Sequence, residues 1–146
     1  KGYLELADGA MLTVSGDIRN VDGTVKFDDG SIVQFANADR VSTLAGNFTF
    51  SKLVCEAPGK TISFAAGETT TIAAGGALTL TGTEENPIVL QSTEAESPWT
   101  LALGEGVSQS MESIRVSDSI ATGGTATALN SSGENVTGWV PASYCK

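Results

Sequence analysis

The chain has 146 residues, enough for one domain with a substantial core, and 40% of them are hydrophobic, which argues against a disordered chain. Seventeen acids against eight bases give a net charge of −9, and Arg19, Arg40 and Arg115 stand far apart, so no basic stripe exists for nucleic acid or anionic lipid. There is no histidine, which removes His-based triads, the usual general base and the commonest zinc ligand together. Solubility accounts for the acidity; a cation-binding surface is the sharper reading.

Seventeen glycines and abundant threonine favour tight turns and short strands over helices. The chain begins at Lys1 rather than Met, which points to a processed protein or a segment of a longer one, and no apolar run approaches the ~18 residues that span a bilayer. The first element, "LELADGAMLTV" (4–14), reads apolar-x-apolar, an acidic-glycine turn, then apolar-apolar-x-apolar. "VKFDDGSIVQF" (25–35) repeats it 21 residues later, so that Leu4, Leu6, Gly9, Met11, Leu12 and Val14 fall on Val25, Phe27, Gly30, Ile32, Val33 and Phe35. A degenerate third copy, "ISFAAGETTTI" (62–72), keeps Ile62, Phe64, Gly67 and Ile72. Phe48 and Phe50, Leu78 and Leu80, Ile88 and Leu90, and Ile114 and Val116 supply further strands with two apolar residues on one side.

A single strand of this kind buries almost nothing, whereas stacked coils of about 20 residues bury a continuous interior. The predicted fold is therefore all-β: a parallel β-helix (β-solenoid) of short coils over residues 1–139, with 140–146 as a C-terminal tail or cap. Strands would pair in parallel with the coils above and below, and Gly and Asp-Gly would turn the corners. An antiparallel β-sandwich is the alternative, but it gives no reason for a register of 21. Nothing before Tyr3 reads as a cap, so the N-terminal coil edge is expected to be bare. Upstream residues of a parent protein or another copy, in end-to-end self-association, would then cover it.

The stretch from "GDIRNVDGTVKFDDGSIVQF" through "GKTISFAAGETTTIAAGGALTLTGTEENPIVLQS" to "SIRVSDS" and "NVTGW" resembles β-helical repeat segments of bacterial surface proteins, the filamentous-haemagglutinin-like and autotransporter-like regions. The shared marks are a Gly-x-Leu-x-Leu-x-Gly step, an Asn-Pro-apolar-x-Leu strand and a closing Asn-x-x-Gly-Trp (Asn135 to Trp139). The resemblance implies a right-handed helix, an extracellular or cell-surface location, and a non-enzymatic role in structure or adhesion. It carries no catalytic residue over.

Other candidates come from the residues themselves. Trp99, Tyr3 and Tyr144 are candidate sugar-stacking aromatics for a carbohydrate-binding module with glycan partners, although Trp99 also suits a core or corner position. Trp139 suits a cap over the last coil. Asp8, Asp22, Asp28 and Asp29 recur beside glycines and are candidate calcium ligands, with turn capping as the favoured reading. A β-helical polysaccharide-active enzyme would use Asp28-Asp29 or the loop acids Glu84-Glu85 and Glu94 near Glu96, which read more simply as solvated turns. Thr79-x-Thr81-x-Thr83 has the spacing of an ice-binding rank without aligned copies. Cys55 and Cys145 either bridge, which pins the tail to the body, or leave Cys55 as a small core thiol.

Overall fold

The computed structural model describes residues 3–20 and 23–142. Among these residues every regular element is a β-strand and every strand pair is parallel. The chain is a parallel β-helix with three faces, and the antiparallel sandwich is excluded.

Coil 1 holds β1 (Tyr3–Leu6), β2 (Met11–Val14) and β3 (Ile18–Arg19), and coil 2 holds β4 (Thr24–Phe27), β5 (Ile32–Phe35) and β6 (Val41–Ala45). In coil 3, β7 (Phe48–Cys55) bends from the first face to the second, with a break in register between Phe50 and Lys52, and β8 (Thr61–Phe64) follows on the third. Coil 4 is β9 (Thr69–Thr81), which bends likewise, and β10 (Ile88–Ser92). Coil 5 is β11 (Trp99–Leu103), β12 (Ser108–Glu112) and the start of β13 (Ile114–Thr122). Coil 6 is the rest of β13, β14 (Ala126–Leu129) and the start of β15 (Ser132–Thr137); the end of β15 and β16 (Trp139–Ala142) begin a seventh.

The register repeat of 21 is real. Leu4 and Leu6 pair with Val25 and Phe27, and Met11, Leu12 and Val14 pair with Ile32, Val33 and Phe35. The third copy is different: residues 62–64 lie on the third face and 69–72 on the first, one face round from the first two copies. What repeats there is the half-coil grammar of strand, glycine corner, strand, and not the position in the helix.

Alternation turns every second side chain of each strand inward. On the second face Val33 and Phe35 sit beneath Leu53 and Cys55, then Leu78 and Leu80, all buried. On the third face Ser42 and Leu44 sit beneath Ile62 and Phe64, and Ile62 in turn beneath Leu90 and Val116. Phe27 stacks on Phe50 at 5.1 Å, which ties the small β1–β4 sheet to the rest. Burying each such ring contributes roughly 1.5–3 kcal/mol.

The helix narrows toward its C-terminal end. Ser108 lies 31 residues from its partner Ala77, Leu129 only 17 from Glu112, and Trp139 only 13 from Ala126. Core residues shrink with the coil, from Leu78 and Leu80 to Ala126 and Ala128. Corners tighten too: a methyl group at Gly123 or Gly138, both with positive φ, would collide with the carbonyl oxygen of Leu103 or Ala121 in the preceding coil. Trp139 fills the tapered interior, edge-on to Trp99 at 6.2 Å, and its Nε1 donates to Ser119 Oγ. β16 pairs in register with β14 from Trp139 to Ala142.

The inward and outward columns make opposite predictions. Phe50→Ala is expected to cost about 3–5 kcal/mol in urea denaturation, because a fully buried ring is removed. Thr49→Ala, one residue back and exposed, is expected to change stability by less than about 0.5 kcal/mol.

Candidate functional site

Coil 4 departs from the short repeat. Thr69 pairs with Thr100, 31 residues on, against 21 between Leu4 and Val25. The surplus forms two loops, residues 82–87 and 93–98, on either side of β10, and each ends in a proline that holds the chain extended as it enters the next strand. The first loop is closed by Asn86 N donating to Thr83 Oγ1 and Thr83 N donating to Asn86 O. The second is closed by Ser92 Oγ donating to Ser97 O and by Ser97 N donating to Glu94 O.

Coils 5 and 6 turn the same two corners with single left-handed residues, Ser113 and Asp118, then Asn130 and Asn135. These stack in pairs: Asn130 Nδ2 donates to Ser113 Oγ at 3.1 Å, and Asn135 Nδ2 to Asp118 Oδ1 at 2.7 Å. Long loops on one coil beside tight corners on the next two leave a trough along the outer side of the third face. One end, about 200 Å³, lies between Glu84 and Asn130. The middle, about 460 Å³, is lined by Val89, Arg115, Ser117, Ser132 and Glu134. The other end, about 600 Å³, lies between Glu96, Asp118 and Glu134.

Register sets the order of groups on the floor, with Val89 beside Arg115 and Arg115 beside Ser132. Arg115 is exposed and forms no ion pair among the described residues, where the ion pairs are those of Lys26 with Glu5 and Asp28. Hydroxyls, amides, solvated carboxylates and one guanidinium can hydrogen-bond a polyhydroxylated ligand from many angles.

The aromatics singled out in the sequence do not meet there. Trp99 is 1% exposed, stacked on Phe64 at 3.7 Å, and its indole N–H has no hydrogen-bond partner, so it is a core residue and cannot stack on a sugar. Tyr3 is 64% exposed on coil 1, with its hydroxyl donating to Glu5 Oε1. Tyr144 and Cys145 lie outside the described residues, and with Cys145 the proposed bridge. Cys55 is buried in the second-face column, where burial pushes its thiol up from the ordinary value.

Asp8, Asp28 and Asp29 occupy consecutive corners, and Asp22 lies outside the described residues. Asp28 has Lys26 at 3.4 Å, and its main-chain carbonyl accepts from Ser31 N and Ser31 Oγ, which is turn closure. Among the described residues no three acidic or thiol groups gather in a way that could hold a metal ion. The threonine row breaks up as well: Thr79 pairs with Val54 and Ser110, Thr81 pairs with Glu112, and Thr83 belongs to the first loop.

Sequence reasoning missed Lys60. It is fully buried in coil 3, and its Nζ donates to the carbonyls of Ser15, Asn37 and Arg40, clamping coils 1 and 2 with no carboxylate partner among the described residues. Burial holds its pKa below the usual 10.5. It missed the trough too, for which the one available signal was the surplus length around β10. The chain matches no family model, no curated protein and no solved structure, so the site rests on its own geometry.

Lys60 gives a pH prediction. A lowered folded-state pKa means the folded protein releases this proton before the unfolded chain does. The stability of wild type relative to Lys60→Met should be flat below the lowered pKa and rise with pH from there to about 10.5. Urea denaturation of both proteins from pH 7 upward measures that difference, and groups common to the two cancel.

Proposed function

We propose that this chain is a non-enzymatic structural or adhesion module of an exported bacterial surface or extracellular protein, a rigid β-helical element that displays a binding face. The observation that carries the reading is the trough across coils 4 to 6, built by two insertions on one coil of a continuous helix. It is open to solvent, and Glu84, Glu96 and Glu134 on its rim are exposed, with Asp118 half-buried. Solvated carboxylates suit hydrogen bonding to a ligand. The resemblance to haemagglutinin-like and autotransporter-like repeats points the same way.

Carbohydrate binding is the second reading, and the trough favours it over the aromatics first considered. Its polar lining would hold a glycan by hydrogen bonds, with Arg115 at the centre.

A glycan array tests both readings. Arg115→Ala is expected to weaken binding about tenfold or more, the loss of a charge-assisted hydrogen bond, and Tyr3→Ala to leave it unchanged. Wild-type protein is expected to leave polysaccharides uncleaved. Turnover that disappears in Glu134→Gln would instead make the trough an active site.

A further inference from the structure

We propose that the outer side of the first face, from coil 3 to the start of coil 7, is an ice-binding surface whose ligand is the ordered water of a growing ice crystal. The inference rests on this face alone and is independent of the trough, which lies on the third.

Five strands stack there in parallel register, β7, β9, β11, β13 and β15. Their outward residues fall into two columns. Thr69, Thr100, Ile120 and Thr137 make the first. Thr49, Thr71, Ala102 and Thr122 make the second. The sequence suggested such a rank at Thr79-x-Thr81-x-Thr83, and the aligned copies missing there are present on the first face instead.

Neighbours in a column stand about 4.8 Å apart, and the columns about 6.6 Å apart, a step of two residues along a strand. Both spacings are close to those between water oxygens on the prism faces of hexagonal ice. The six threonines are exposed or half-buried, and none of their hydroxyls has a hydrogen-bond partner among the described residues. In a chain of net charge −9, no charged side chain interrupts either column. A charge would keep its own hydration shell and break the lattice, whereas hydroxyls bond lattice oxygens and methyl groups fill the gaps between them. Threonine is stiff at χ1, so both groups are held in place by the backbone and lose little freedom on binding. The columns carry no aromatic ring for a sugar to stack on, and an apolar protein partner would leave the hydroxyls unpaired.

Nanolitre osmometry of the whole chain is the test, reading the gap between the freezing and melting points of a seeded ice crystal. Wild type is expected to open a gap. Thr100→Lys, at the centre of the face, is expected to lose it, and Thr127→Lys, at an exposed threonine of the second face, to keep it. Ala102→Thr, which completes the second column, is expected to widen it. Far-UV circular dichroism checks that the Thr100 variant is folded. If it is not, wild type and Ala102→Thr decide between them. No gap in wild type, a gap unchanged in folded Thr100→Lys, or one that Ala102→Thr fails to widen would overturn the proposal.

Discussion

A strand of four or five residues carries about eight to ten backbone N–H and C=O groups and turns only about two or three side chains inward, so it cannot stand alone. Here every strand meets that need the same way, by lying in parallel register about 4.8 Å from a strand of a neighbouring coil. Parallel register places like positions over like, so an apolar residue facing inward in one coil favours one in the next, although Ile62 lies over Ser42 and Phe64 beneath Ser92. Phe27 over Phe50, and Leu53 over Leu78, follow from that preference. The corners are where it relaxes, and they hold almost all the variation in the chain.

That relaxation explains the narrowing of the last described coils and the trough. A corner can shorten to a single left-handed residue, as at Asp118 and Asn135, and the coil narrows until alanines fill it. It can also lengthen, as it does twice around β10, without disturbing the ladders on either side. Lys60 shows the cost of a corner turned inward. Carbonyls of coils 1 and 2 that face the interior there are satisfied by a buried ammonium instead of by strands.

How much of this the sequence discloses depends on distance along the chain. The match of residues 4–14 to 25–35 was legible because neighbouring coils of equal length carry the same grammar. It failed at 62–72, where the half-coil pattern recurs one face round, since a strand–glycine–strand unit does not say which corner it turns. Trp99 was ambiguous because an alternating run tells which residues share a side but not how deep that side lies. The trough was illegible for another reason. Arg115 and Glu134 meet Glu84 and Glu96 only through stacking, and no local pattern marks residues brought together by coils of unequal length.

The central claim is the parallel coil register, and long-range backbone nuclear Overhauser effects test it most directly. The account predicts amide-to-Hα contacts of parallel type linking Val33 with Leu53 and Leu53 with Leu78. Antiparallel Hα–Hα contacts between residues 4–6 and 12–14, or between 78–80 and 88–90, would contradict it.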